Sequence, residues 1–290
     1  MSDTGNADRS RVVTVLTHGR PSQTSHALER MFALASEAGV PLRFDAEETL
    51  KHGLEPRDGV LLDAPIERDA GLCLVLGGDG TILRALRLYA NTGVPVFAVN
   101  YGEIGFLATV DPEDLEDGLR RAFKGEFELL QLPAIVLDTP TMVVSAMNDV
   151  AIHRKVGERV AELAYALDNE VVGSVRCDGL VVSTPAGSTG YNLANGGPVM
   201  AWGVKGFVVS FIAPHSLTAR ALVVAPGDLL TIYNRSQEPL DVSVDGRPVC
   251  EIPADSAIDA RFVDGAGTMA QLPGSSFYRR LSEKFGRLAT

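Results

Sequence analysis

The chain has 290 residues, 46% hydrophobic and 22% charged, with a formal net charge of −11; it can bury one large core or two modest ones. The acidic balance argues against a sequence-independent grip on nucleic acid or an anionic membrane, and no apolar run approaches the roughly 20 residues of a membrane helix. Cys73, Cys177 and Cys250 have neither metal nor redox spacing, and the polar start reads as no secretory signal, so a cytoplasmic protein with reduced thiols is expected.

In chain order, residues 12–16 read as a strand, 25–37 as a helix and 42–44 as a strand. The apolar run 72–76 reads as a buried parallel strand ending at Gly77-Gly78-Asp79-Gly80. Residues 81–88 then read as a helix capped by Thr81, 96–99 as a strand, and a helix opens at Pro112 and ends near Gly125. Strand alternating with helix implies a Rossmann-like α/β domain with a parallel sheet, over residues 1–125.

A strand, a glycine turn and a helix start together make a phosphate cradle, because free N–H groups and the helix dipole point the same way. A carboxylate in that turn is odd for a plain anion site. It points to a Mg²⁺ ligand or to a base for a sugar hydroxyl. The plainer reading is a tight loop, with glycines for positive φ and Asp79 capping the helix.

After Gly125 the periodicity changes. Residues 127–137, 142–147, 160–167, 171–176, 180–184, 207–212, 229–233, 240–244 and 257–263 read as strands. Turn signals separate them, among them Asp168-Asn169, Asp245-Gly246 and Asp264-Gly265. A β-rich antiparallel domain is expected over 126–270. The tail, 271–290, carries a basic and apolar alternation that predicts a helix over 277–288.

Within that domain runs a second ordered motif, from Arg176-Cys177-Asp178-Gly179 through an apolar strand to Ser183-Thr184-Pro185-Ala186-Gly187-Ser188-Thr189-Gly190-Tyr191. Its small hydroxyl and glycine residues let backbone N–H groups approach a polar ligand, with Tyr191 available to a ring. A Gly/Ser-rich hairpin would explain the composition but not the order.

These motifs resemble the NAD kinase family, whose members carry GGDGT after a strand, a later Asn-Glu or Asn-Asp pair, and DG-x-x-x-STP-x-GSTAY. Here they stand as Gly77 to Thr81, Asn148-Asp149 and Asp178 to Tyr191, with smaller matches over 99–107 and at Pro214-His215-Ser216-Leu217. Three positions depart from the pattern: Ala186 replaces a Thr, Gly190 replaces an Ala, and Arg247 stands where Gln is frequent.

The resemblance implies transfer of the γ-phosphoryl group of ATP, or of polyphosphate, to the 2′-hydroxyl of the adenosine ribose of NAD. Mg²⁺ would accompany the donor, with no dedicated protein cage. It implies Asp79 as general base and Gly77, Gly78, Thr81, Arg84 and Arg176 as donor or phosphate contacts. NAD would be bound by Asp79, Gly80, Asn148, Asp149, Asp178, the loop residues Thr189, Gly190, Tyr191, Asn192, Leu193 and Ala194, and Arg247. Plainer readings stand beside these: an Asx turn at Asn148-Asp149, a turn aspartate at Asp178, surface arginines at 84 and 176. In the family, an arginine at the position of Arg176 goes with ATP-restricted members. His18 and His215 read as loop residues and His153 as a solvated strand residue. Relatives form dimers and tetramers, so a homodimer or homotetramer is implied. The rivals are a GGDG kinase acting on lipid or sugar, which has no need of the 178–191 loop, and an NADP-responsive binding protein without turnover.

Overall fold

The computed structural model describes residues 11–102, 105–139 and 142–286. Most of the polar start, Glu103-Ile104 and the end of the tail lie outside the described residues. The chain forms two compact units, Met1–Gln131 with Gly267–Thr290, and Leu132–Ala266.

The first unit runs β1 (Val13–Thr17), α1 (Ser25–Ala38), β2 (Leu42–Arg43), α2 (Ala46–His52), β3 (Val60–Leu61), β4 (Leu72–Gly77), α3 (Asp79–Leu88), β5 (Val96–Asn100) and α4 (Leu115–Lys124). The strands are parallel, in the order β5-β4-β1-β2-β3. Every residue of β1, β4 and β5 is buried, which is why β4 reads as a continuous apolar run; β1 also buries Thr14 and Thr17, and β5 ends in the buried Asn100. Leu74 lies between Val15 and Phe97, and the core gathers Leu28, Met31, Phe44 and Leu119 beneath them.

α2 has no counterpart in the sequence reading, because its inward face is Glu48-Thr49 rather than an apolar stripe. Its signals were local. Asp45 caps it, accepting from Glu48 N–H at 2.7 Å, and Gly53 ends it in the left-handed region.

The second unit contains β6 (Glu128–Asp138), which begins just before it, β7 (Val143–Ala146), β8 (Asp149–Arg154), β9 (Ala161–Leu167), β10 (Glu170–Cys177), β11 (Gly179–Ser183), the short α5 (Tyr191–Ala194), β12 (Phe207–Ile212), β13 (Leu222–Val224), β14 (Leu230–Asn234), β15 (Leu240–Val244) and β16 (Arg247–Ile252). One antiparallel sheet has the order β13-β12-β11-β8-β15-β16. A second antiparallel ladder joins β10, β9, β14 and the start of β17 (Ala257–Gln271). Ile152, Leu163, Leu180, Phe207, Ile232 and Val242 belong to one core that draws on both.

β17 departs from the expected strand over 257–263 with a turn at Asp264-Gly265. Gly265 takes positive φ, yet the strand continues to Gln271 with residues 266–271 all buried. The glycine kinks the strand without reversing it. In the first unit Met269 of β17 lies parallel to Val96 of β5, and α6 (Phe277–Phe285) follows. No helix among the described residues is long and apolar enough to cross a membrane.

Candidate active site

In the first unit, β4 delivers Gly77 and Gly78 to the carboxyl end of the parallel sheet, the edge where open α/β sheets take ligands. Gly78 is the N-cap of α3, with φ −90° and ψ −175°. Neither glycine of the turn is there for positive φ, contrary to the loop reading; both are there for space. A Cβ on Gly78 would lie 2.9 Å from Gly102 Cα, and one on Gly77 would lie 2.7 Å from Thr81 Oγ1. Thr81 is therefore not the cap: the helix begins at Asp79, and Thr81 packs inside its first turn over Gly77. Gly80 is different, since nothing stands within 4 Å of a Cβ there.

Asp79 sits in the first turn of α3, where the helix dipole favours a negative charge. Its carboxylate is gripped from the side: Phe106 N–H donates to Oδ2 at 3.2 Å and Leu107 N–H to Oδ1 at 3.1 Å. Each oxygen keeps a further lone pair. The neighbouring segment is tied by Asn100, whose Oδ1 accepts from Gly102 N–H at 3.0 Å, and by Tyr101 N–H donating to Gly77 O at 3.1 Å.

Arg84, one turn further along α3, is committed elsewhere. Its guanidinium forks onto Glu47 at 3.2 and 2.7 Å and lies 3.6 Å from the buried Glu48. Glu48 also accepts from Thr17 Oγ1 at 2.7 Å and from Lys51 Nζ at 2.8 Å. The helix that holds Arg84 was the one the sequence did not announce.

In the second unit, strand pairing unites two motifs that are distant in sequence. Ser183 at the end of β11 lies opposite Asp149 at the start of β8, so the loop 184–190 leaves the sheet beside Asn148-Asp149. Thr184 Oγ1 donates to Met147 O at 2.7 Å, and Thr184 N–H donates to Asn148 O at 2.8 Å. Gly187 is packed so closely that a Cβ would fall 2.1 Å from Asn148 O. A Cβ on Gly190 would stand 3.7 Å from Asp149 Oδ2. Asn148-Asp149 is thus the entry to a strand and not an Asx turn.

A residue read only as a turn signal completes this end of the sheet. Asp245, at φ +46° between β15 and β16, accepts N–H bonds from Met147 (3.2 Å), Asn148 (2.7 Å) and Asp149 (3.2 Å). Burial first, and the Asp245 charge second, push the Asp149 carboxyl up to about 7. Beside it, the buried Oδ1 of Asn148 has no hydrogen-bond partner among the described residues. Arg247, exposed, opens β16 directly after this turn.

Asp178 lies at the other end of β11, where Gly179 pairs with His153. Its Oδ1 accepts from Arg154 Nε at 2.5 Å. The ring of Tyr191 stacks on His153 with centroids 5.8 Å apart, and burial, Asp149 and Asp178 together raise its phenol above the usual range. His153 is consequently half-buried rather than solvated, and burial lowers its pKa. Arg176 is exposed on β10 and lines a cavity of about 480 Å³ with Arg154, Arg159 and Arg235; its carbonyl accepts from His215 N–H at 2.8 Å. Of the loop residues expected to line a ligand, Thr189 and Leu193 are half-buried and Ala194 is exposed. Asn192 is fully buried; its amide NH2 donates to Ser188 O and Pro198 O, both at 3.0 Å, while its Oδ1 has no hydrogen-bond partner among the described residues.

The first unit thus presents an acidic glycine turn, and the second a buried carboxyl beside a small-residue loop. The ATP-NAD kinase N-terminal domain model matches residues 16–127 and the ATP-NAD kinase C-terminal domain model matches residues 147–266. An NAD kinase of Gemmatimonas aurantiaca is 33% identical over 250 residues, covering 83% of this chain and 84% of that protein. One of Bifidobacterium longum subsp. infantis is 31% identical over 284 residues, covering 95% and 82%. The fold is similar to the crystal structure of yeast NADH kinase complexed with NADH, with a TM-score of 0.86 and 23% identity over 98% of this chain and 90% of that one. It is also similar to an NAD kinase from Archaeoglobus fulgidus in complex with ATP, with a TM-score of 0.74 and 24% identity over 94% and 98%. The chain belongs to the NAD kinase family, and it is an enzyme of the kinase class.

Proposed function

We propose that the protein transfers the γ-phosphoryl group of ATP, or the terminal group of polyphosphate, to the 2′-hydroxyl of the adenosine ribose of NAD, with Asp79 as general base. The carrying observation is the Asp79 carboxylate, fixed by two backbone N–H bonds at the head of α3 with a lone pair left on each oxygen. A ribose hydroxyl is a weak nucleophile, and a carboxylate that orients it and takes its proton contributes roughly 10²–10⁴ in rate. Gly77, Gly78 and Thr81 shape the turn, and Gly80 leaves room above it for phosphate oxygens. Arg84, neutralised by Glu47 and Glu48, is assigned no donor contact. Arg176 remains the arginine for donor preference.

NAD is assigned to Asn148, Asp149, Thr189, Gly190, Tyr191, Leu193, Ala194, Arg247 and Asp178. The orphan Oδ1 of Asn148 would be satisfied by a ligand donor such as a ribose hydroxyl or the adenine amine. Asp149, titrating near neutrality, can donate from its protonated form and accept from its charged form.

Among the described residues no group of three or more His, Cys, Asp or Glu side chains is gathered to hold a metal ion. The hard carboxylate oxygens of Asp79 suit one position on a Mg²⁺ that arrives with the donor phosphates. When bound, that ion neutralises phosphate charge during transfer. We further infer a homodimer or homotetramer, and a cytoplasmic location, to which the free state of Cys73, Cys177 and Cys250 is suited. The experiment is NADP formation from NAD, Mg²⁺ and either ATP or polyphosphate by wild type and Asp79→Asn. A drop in turnover by orders of magnitude with NAD still bound is expected, and unchanged turnover removes Asp79 as the base. NADP from polyphosphate as readily as from ATP would discard the role given to Arg176.

A further inference from the structure

We propose that Arg280, in the first turn of α6, is a positioning residue for phosphoryl transfer that acts on Asp79 through the backbone of residues 106–109; the inference rests on the reading of Asp79 as base. All of these groups lie within the first unit.

The guanidinium of Arg280 is directed at one short segment. It donates to Phe106 O at 3.2 Å, to Ala108 O, and to Thr109 O at 3.3 Å, and also to Gln271 Oε1 at 3.2 Å. The other face of that segment holds the carboxylate, through the N–H groups of Phe106 and Leu107. One peptide unit carries both contacts. The carbonyl oxygen that receives Arg280 is that of Phe106, and the N–H of the same peptide, on Leu107, donates to Asp79 Oδ1. A peptide is planar, so fixing its oxygen fixes the direction of its N–H. A cation on the oxygen also polarises the unit and strengthens its donor.

Two further contacts hold the segment. Thr109 Oγ1 donates to Ala270 O at 2.7 Å, and the Phe106 ring packs on the Phe285 ring of α6 with centroids 5.6 Å apart. Arginine suits the task because its planar fork can reach several carbonyls at once, which a lysine ammonium at the end of a flexible stem cannot. The helix at the end of the chain therefore aims a carboxylate in the first third of it.

The test compares wild type, Arg280→Met, Arg280→Lys, Asp79→Asn and the double variant Asp79→Asn/Arg280→Met, with Arg279→Met as control. Arg279 is exposed and its guanidinium lies 3.7 Å from Glu283 on its own helix. Steady-state kinetics are read with amide hydrogen exchange over residues 105–110. Arg280→Met is expected to lower kcat by about 10- to 100-fold, in line with the effect of small misplacements at a reacting group. KM for NAD and for ATP should stay within about threefold, Arg280→Lys should recover part of kcat, and, with Asp79 in place, exchange at Phe106 and Leu107 should rise in the Arg280 variants and not in Arg279→Met. On the Asp79→Asn background the same substitution should change kcat by less than about threefold, since its route to the chemistry is gone. Equal losses on both backgrounds, unchanged exchange at those amides, or wild-type kcat in Arg280→Met would overturn the proposal. Wild-type turnover in Asp79→Asn would instead remove the base reading, while the exchange data would still report whether Arg280 holds the segment. If Arg280→Met does not fold, Arg280→Lys decides on the same two readouts.

Discussion

Replacing Asp149 by Asn tests the electrostatics of the second unit, and its size follows from the structure. A carboxyl moved from 3.8 to about 7 by burial and by Asp245 carries at most about 4 kcal/mol of differential interaction, at about 1.4 kcal/mol per pH unit. Between these two values the unfolded chain has lost the proton while the folded chain keeps it. Folding then takes up a proton, so stability falls as pH rises, and above about 7 the penalty is complete. The amide copies the protonated carboxyl and never ionises. Relaxation around Asp245 will absorb part of the effect, so the variant's stability relative to wild type should grow by about 2–3 kcal/mol between pH 5 and pH 8. Thermal and urea unfolding of both proteins at the two pH values measure it. A stability difference that is the same at pH 5 and pH 8 would refute the assignment of a raised, proton-linked carboxyl at this position.

Three other outcomes follow from particular contacts. Gly78→Ala forces a Cβ to within 2.9 Å of Gly102 Cα; a loss of about 1–3 kcal/mol in unfolding experiments is expected, together with reduced kcat because the start of α3 must shift. Arg84→Met should lower stability by about 1–2 kcal/mol by stripping a partner from the buried Glu48, yet leave KM for ATP within about threefold; a large rise in that constant would return Arg84 to the donor site. Asp178→Ala, which also leaves Arg154 without its 2.5 Å partner, should chiefly raise KM for NAD, and an effect confined to the ATP constant would show that the loop serves the donor.

Much of the fold was legible because burial and periodicity coincide. β4, buried in every residue, announced itself as an apolar run, and the strands expected over 12–16 and 96–99 match β1 and β5, equally buried. The Asp79 turn was legible through glycine order, although the glycines turned out to provide clearance rather than positive φ. Less of the site could be read. Asp245 looked like any Asp-Gly hairpin turn, since nothing local reveals that its carboxylate reaches three N–H groups about a hundred residues away in sequence. The N–H groups of Phe106 and Leu107 are backbone, so their side chains gave no sign of the role. Asn192, implied by the resemblance, is fully buried with its amide donating to Ser188 O and Pro198 O, a structural tie that its place in a loop does not announce. α2 was hidden because a buried glutamate stands where a leucine would have signalled an inner face.

The return of β17 to the first unit has a consequence for biosynthesis. Residues 132–266, which form the whole of the second unit, are synthesised before Gly267–Thr290. Until Met269 emerges, one side of β5 lacks the parallel partner it meets at Val96, and the carbonyls of residues 106–109 lack Arg280. The second unit is continuous in sequence and can fold as one block, whereas the turn bearing Asp79 acquires its full support only once the segment carrying Met269 and Arg280 has joined the first unit.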